Sequence, residues 1–432
     1  MDLIDVHNTF SPGQEIMRPE QFAGRKANLA QAVRALCRSG SSLLVYGERG
    51  VGKTSFVEMV KLLAQGQVEL VYRYGLKALM PPDGFQYKVA SVECDGDVET
   101  SEQVLQRLLT SPEGFSNLVS SRLARREITE KDTFGISLLE KLFTYSSAFD
   151  EKKVLEEFKE ESVFELFTNV VQSIVANVLM PNEGLLIVID EFDRVKEKQK
   201  LSSLLKTLSK NRVKFLISGI GQNYFDLVED HASVDRQLYQ GKIEIKPMTE
   251  EEIFQLFSLA QKHNNELIEF QNSLVTDIAS KSFGYPYYVQ LFGQLCLDRY
   301  VDISGSAKGA VTTNHLNDGL KQFAEMEPKL ERIYNDIVSA VPERELMLKG
   351  MANLITKDIR QREVFRYCEN RGVQNPKQIL ATLLSFKEPE VLLRIDKERV
   401  TFHNRLFRIF AAVRDPIFLD VDDETGIKIP TH

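Results

Sequence analysis

The sequence predicts an α/β protein with a mostly parallel sheet, and three observations predict it. The runs at 42–46 and 185–189 have the length and composition of buried strands, 88–93 and 213–217 read as further strands, and 242–245 alternates in period two. Stretches with apolar residues at three- and four-residue spacing separate them, as amphipathic helices do. A glycine-rich loop follows the first strand and opens a helix. Strands alternating with helices build a parallel sheet, because a parallel pair needs a crossover long enough to hold a helix.

Residues 1–24 form an arm rich in turn signals: Ser11-Pro12-Gly13, Pro19 and Ala23-Gly24. In the helix that follows, Leu29, Ala32, Val33, Leu36 and Cys37 share a face, and Ser39-Gly40 stops it. The loop and its helix come after the strand at 42–46. The stretch from 100 to 109 is helical, but Ser101-x-x-Val104 carries too little signal for a cap. From about 111 to 161 the chain is charged, with helical patches and no strand signal, which predicts a helical insertion. A helix at 163–174 leads to the strongest strand, Leu185-Leu186-Ile187-Val188-Ile189.

The core therefore runs from 25 to 247. Beyond Met248 strand signals vanish, and helices near 249–261, 270–281 and 286–300 predict a helical lid over 248–341. Residues 342–415 read as helices, then a hairpin around Asp396-Lys397-Glu398, then another helix: a winged-helix module. The tail, 416–432, is acidic.

Composition bounds the function. The chain has 432 residues, 43% hydrophobic and 27% charged, which is ordinary for a globular protein of two to four domains. The net charge is -8; residues 342–415 carry 15 Lys and Arg against 10 Asp and Glu, hence +5, which leaves -13 elsewhere. An acidic body with a mildly basic module excludes a protein dominated by nucleic-acid binding and leaves room for a local contact. No apolar run reaches the length of a membrane span, and the acidic N-terminus lacks a signal-peptide pattern. Cys37, Cys94, Cys296 and Cys368 are far apart, with no Cys-x-x-Cys pair. They read as buried small apolar residues in a reducing cytoplasm.

Two motifs carry chemistry. Gly47-Glu48-Arg49-Gly50-Val51-Gly52-Lys53-Thr54 matches G-x-x-x-x-G-K-[ST] between a strand and a helix. Gly47, Gly50 and Gly52 let backbone amides converge on phosphate oxygens with no Cβ in the way, and the helix N-terminus favours an anion. Val51, Lys53, Thr54 and Ser55 complete the candidate cradle for ATP. Lys53 is expected on the β- and γ-phosphates and Thr54 on Mg²⁺. The second motif is Asp190-Glu191 at the C-terminal end of the 185–189 strand, where open α/β sheets bind ligands. Asp190 is expected to hold Mg²⁺ and Glu191 to polarise the attacking water. Ser218, ending the next strand, is a candidate polar group near the γ-phosphate; the alternative is an ordinary strand-terminal serine. Arg236 is a candidate arginine finger for a neighbouring subunit, or a surface arginine paired to Asp235 or Asp230.

Phe22-Ala23-Gly24-Arg25, the 47–54 loop, Asp190-Glu191-Phe192-Asp193, Ser218-Gly219 and Gly284-Tyr285-Pro286 follow one another in the order seen in STAND NTPases. They also resemble the initiator and origin-recognition branch of AAA+ ATPases and the archaeal and bacterial ATPase families near both. The resemblance spans about 10–415. It implies a sheet of order 5-1-4-3-2, a helical lid and a winged helix closing over nucleotide. It places Gly24 and Arg25 by the adenine and Pro286 at the base or sugar. Phe402-His403-Asn404-Arg405-Leu406 resembles the motif whose histidine senses the β-phosphate of ADP, against the plain reading of His403 as a packed or surface residue. Two features depart from the pattern: the helix after Gly284 has no arginine before Arg299, and neither an effector domain nor a repeat array flanks the core.

Two functional readings result. One is an ATP-hydrolysing switch that self-associates as a homo-oligomer, with any effector a separate protein; this would suit prokaryotic defence or signalling. The other is a DNA-binding ATPase, like initiators or transposition helpers, using the winged helix and Arg360-Gln361-Arg362.

Overall fold

The computed structural model describes residues 8–116, 118–119, 137–140, 162–198, 201–209, 212–221, 241–306, 308–354, 356–422 and 426–428. They form two compact units. One holds Gly13–Leu256 together with Tyr285–Tyr287; the other holds Met1–Pro12, Phe257–Gly284 and Tyr288–His432.

The first unit is built on a five-stranded parallel sheet. Its strands are β1 (Leu43–Gly47), β2 (Tyr87–Glu93), β3 (Gly184–Asp190), β4 (Val213–Ile220) and β5 (Lys242–Glu244). The order is β2-β3-β4-β1-β5, which is the expected 5-1-4-3-2 read from the other edge. The core is thus an α/β fold on a wholly parallel five-stranded sheet. Every residue of β3 is buried, and Leu185 to Ile189 are between 0 and 1% exposed. At about 1.5–3 kcal/mol for each large apolar side chain, that strand anchors the sheet. Its register with the neighbours sets the site. Ile189 stands beside Ile217 of β4, Val45 of β1 beside Ser218, and Glu93 of β2 beside Asp190. All the polar strand ends therefore emerge on one edge.

Helices Lys26–Cys37 and Lys53–Ala64 pack with the sheet, burying Leu29, Val33 and Leu36 from the first and Phe56, Val57 and Val60 from the second. Cys94, Cys296 and Cys368 are buried as expected, but Cys37 is exposed. It is the last residue of its helix, one turn past Val33 on the same stripe, where the cover over that stripe ends. Helix Ser101–Thr110 opens on a full capping box, where the sequence offered too little signal for a cap at Ser101. The cap is Thr100: its hydroxyl accepts from the Gln103 amide at 3.2 Å, while the Gln103 side chain accepts from the Thr100 amide at 3.0 Å. Most of the expected insertion at 111–161 lies outside the described residues.

The second unit contains strands that the sequence reading missed. Ile268–Phe270 (β6) and Gly309–Val311 (β7) pair in parallel between helices. Three residues are too few to show a period. Towards the C-terminus the order is helix Pro342–Ala352, β8 (Ile359–Arg360), helices Gln361–Glu369 and Pro376–Ser385, β9 (Leu392–Arg394), β10 (Arg399–Phe402) and helix Arg405–Val413. The three strands form an antiparallel sheet of order β8-β10-β9. Glu345, wholly buried, accepts from the Tyr334 hydroxyl at 2.8 Å and from the amides of Ile417 and Phe418 at 2.7 Å each. Among the described residues, no helix is long and apolar enough to cross a membrane.

Candidate functional site

The site lies where β1, β3 and β4 end. Gly47 leaves β1 at φ 154°, and a Cβ there would sit 2.3 Å from the Ile245 carbonyl oxygen. Only glycine fits that approach. Gly50 and Gly52 take φ of 79° and 89°, and Gly52 is the residue that caps helix Lys53–Ala64. The loop thus ends with unpaired amides at a helix N-terminus, the geometry that attracts an anion. Val51 contributes only its backbone, since its side chain is fully buried.

Lys53 folds back over its own loop. Its ammonium donates to the carbonyls of Gly47 at 3.2 Å and Glu48 at 2.9 Å. Burial lowers its proton affinity; Asp193, Asp190 and Glu191 oppose that, and Arg49 adds to it. Lys53 and the acidic motif are therefore neighbours, although 137 positions separate Lys53 from Asp190 in the chain.

Asp190 is 8% exposed. One of its oxygens accepts from the Ser218 hydroxyl and from the Glu191 amide, the latter at 2.8 Å. Ser218 is fully buried, so in this geometry it orients Asp190 rather than reaching out to a phosphate. Glu191 adopts left-handed backbone, φ 54°, which a non-glycine residue accepts only at a cost of about 1–2 kcal/mol. Its carboxylate lies 2.8 Å from the Arg194 guanidinium. Burial raises its pKa first; Arg194 opposes this, and Glu93, Asp190 and Asp193 reinforce it. Asp193 accepts from the Ile220 amide at 2.7 Å and so ties the turn after β3 to the end of β4. The sequence reading quoted Asp193 within a motif and gave it no role. Its one signal was its place three residues after Asp190.

The arm reaches the same corner. The Ile16 amide donates to the Ser55 hydroxyl at 3.0 Å. Burial raises the neighbouring Glu15 carboxyl, with further contributions led by Asp190 and Glu93. Arg73 holds the arm by donating to the carbonyls of Pro19 at 2.8 Å and Phe22 at 3.0 Å.

Arg25 braces the loop from within. It is 6% exposed and left-handed at φ 63°. Its guanidinium donates to the Val51 carbonyl at 2.9 Å and to the Lys246 carbonyl, and lies 3.7 Å from Glu252. Glu252 also accepts from the Arg25 amide. Burial lowers the Arg25 pKa, and Glu252 opposes that. Gly24, at φ 74°, lets the chain pass the Glu252 carboxyl, which a Cβ would meet at 2.7 Å.

Tyr285 and Pro286 pack on the loop. The Tyr285 hydroxyl donates to the Glu48 carboxylate, and Pro286 lies 3.5 Å from where a Cβ of Gly52 would be. His403 belongs to the other unit. It is half exposed, its amide donates to the Val391 carbonyl at 2.8 Å, and its ring lies 3.4 Å from Glu390. Arg236 lies outside the described residues. Among the described residues, no group of three or more His, Cys, Asp or Glu side chains is arranged as a ready metal cage. That is compatible with an ion held by one or two protein ligands plus phosphate, as magnesium usually is.

No curated protein matches the chain. Solved structures resemble it at low identity. The ORC2 protein of Aeropyrum pernix, in ADPNP–ADP complexes, is 12% identical with a TM-score of 0.47, covering 94% of this chain and 96% of that one. A Walker-type ATPase of Pyrococcus abyssi is 12% identical with a TM-score of 0.45, covering 94% and 99%. The ORC1 protein of Aeropyrum pernix, in complex with DNA, is 14% identical with a TM-score of 0.43, covering 91% and 93%. The family evidence is local: residues 22–218, from the start of the Arg25 brace to the serine beneath Asp190, match the model of the KAP family P-loop domain.

Proposed function

We propose that this chain binds ATP with Mg²⁺ at the 47–54 loop and hydrolyses it slowly, as a molecular switch. The observation that carries the reading is the placement of Lys53, held by two loop carbonyls beside Asp190, Glu191 and Asp193. Lys53 and Arg194 face Asp190, Glu191, Asp193 and the nearby Glu93, which leaves a surplus of negative charge beside amides suited to an anion. A divalent cation entering with the phosphates resolves that conflict. Thr54 and Asp190 would hold it, and it would neutralise charge on the phosphate oxygens.

The chain's own residues do the rest. The amides of 50–54 and Lys53 grip the phosphates. Ser218 fixes the carboxylate of Asp190 in one rotamer. Glu191 orients and deprotonates the attacking water; its raised pKa moves a carboxylate towards the range a general base needs. Arg25, Gly24 and Pro286 flank the loop at the expected base end, and Ser55 adds a hydroxyl at the first helical turn.

The finer reading is a STAND- or AAA+-like switch. Its support is the Gly284-Tyr285-Pro286 contact with the loop and the helix–strand–helix–helix–strand–strand order after Pro342, which we read as a winged helix. His403 is its candidate ADP sensor and Arg236 its candidate finger on a second copy. The test is nucleotide titration of the full chain with Mg²⁺, and ATP hydrolysis measured in parallel, for wild type and Lys53→Ala. Removing charge-assisted hydrogen bonds of roughly 1.5–3 kcal/mol should weaken ATP about 10- to 150-fold. Undiminished ATP binding by Lys53→Ala overturns the reading.

A further inference from the structure

Resting on that ATP-site reading, we infer that Tyr285 is a positioning residue that sets the grip of Lys53 on nucleotide, acting through Glu48. Three observations converge. Tyr285 is 1% exposed, and its hydroxyl donates to the Glu48 carboxylate across 237 positions of chain. The Glu48 carbonyl is one of the two acceptors of the Lys53 ammonium, at 2.9 Å. The Tyr285 ring and Pro286 line the same loop, 3.9 Å and 3.5 Å from where side chains of Gly50 and Gly52 would begin.

The consequence is mechanical. Glu48 is a loop residue with two jobs: its side chain is fixed by Tyr285, and its peptide oxygen helps to fix Lys53. A glycine-rich loop cannot hold that peptide orientation by itself, because glycine leaves the backbone many conformations. Anchoring the Glu48 side chain on a buried hydroxyl removes that freedom before nucleotide arrives. Pre-organisation of this kind raises affinity by lowering the ordering cost of binding. The tie acts on the loop, so it should serve ATP and ADP alike.

The experiment is a double-mutant cycle on the full chain, read by titration with fluorescent ATP and ADP analogues in Mg²⁺. Temperatures are kept below the lowest Tm of the set. Tyr285→Phe keeps the ring and removes only the hydroxyl; it should weaken both nucleotides about 3- to 10-fold. Glu48→Ala should do the same with Tyr285 intact. In the Glu48→Ala background, Tyr285→Phe should have no further effect, since its partner is already gone. Wild-type affinity in Tyr285→Phe, or losses from the two changes that add in full, overturns the proposal and leaves Tyr285 as packing. Lys53→Ala is the separate control: if it binds like wild type, the ATP-site reading itself has failed, whatever the cycle shows.

Discussion

At the scale of single residues, charge and burial decide what each group can do. Glu191 and Asp190 are adjacent in sequence and differ in environment. Asp190 accepts hydrogen bonds from Ser218 and from the Glu191 amide, which fix its direction. Glu191 sits in strained backbone, with its pKa raised by burial and by its acidic neighbours. Glu191→Gln should therefore retain ATP binding while turnover falls about 10²- to 10⁴-fold. Single-turnover hydrolysis checks it, and turnover at the wild-type rate would move the base elsewhere, Glu93 across the ladder being the next carboxylate to examine. Far from this site, burial also dominates Lys349, whose pKa it lowers to about 8. Its ammonium donates to the carbonyls of Ala411, at 3.2 Å, and Arg414. Between pH 8 and the ordinary lysine value of 10.5 the unfolded chain binds more protons at this position than the folded one. The stability contribution of Lys349 therefore rises with pH across that window, and its charging cost is fully present below it. Urea unfolding of wild type and Lys349→Met at pH 8 and pH 10 isolates the effect as a difference. The stability of wild type relative to the variant should increase at the higher pH. The difference removes the opposing effect of buried tyrosines such as Tyr334, whose raised pKa makes stability fall as pH rises.

At the scale of elements, local chemistry and long-range ties part company. The cap on helix Ser101–Thr110 is local, so Thr100→Ala should cost about 1 kcal/mol of stability and leave nucleotide affinity unchanged. Denaturant unfolding alongside a binding titration tests both halves. The sheet was legible in the sequence because β1 and β3 are built on continuous apolar runs, because the apolar start of β4 is broken only by Lys214, and because the loop after β1 admits few residue types. Asp190-Glu191 was legible because the pair ends a buried strand in a chain that also carries the 47–54 loop; an acidic turn after a strand is common by itself. The cap was not legible from Ser101, because Val104 cannot return the bond; Thr100 one residue earlier has Gln103 as its partner. β6 and β7 are each three residues long and carry no period. The Tyr285–Glu48 bond and the reach of Arg25 to Lys246 and Val51 join distant positions, and no window of sequence contains both ends. Cys37 escaped for a geometric reason: spacing places it on a face, and only the packing shows where that face stops.

At the scale of the whole molecule, the two proposed outcomes differ in where charge must be free. DNA binding needs unpaired cations on the surface, because phosphate contacts supply most of the affinity and all of its salt dependence. In the C-terminal module Arg399 lies 2.8 Å from Asp396 and 3.6 Å from Asp358, and Arg362 lies 3.9 Å from Glu398. Helix Pro376–Ser385, which follows the two-helix step of the module, carries Lys377 as its only charged residue. Those pairs take up part of the module's free charge, and in the proposed assembling switch the module packs on protein instead. A switch works only if ATP binds the assembled state better than ADP does; equal affinities shift nothing, and moving a population from 1:99 to 99:1 takes roughly 5.5 kcal/mol of difference. Glu191→Gln loaded with ATP and Mg²⁺ should therefore show a higher mass than the same protein with ADP, and added DNA at physiological salt should leave that mass unchanged. If this holds, Arg236→Ala should lower hydrolysis only at concentrations where wild type assembles, as a residue supplied to a second copy would. A monomer under ATP that acquires mass only with DNA, with affinity falling steeply as salt rises, would instead assign the C-terminal module to nucleic acid.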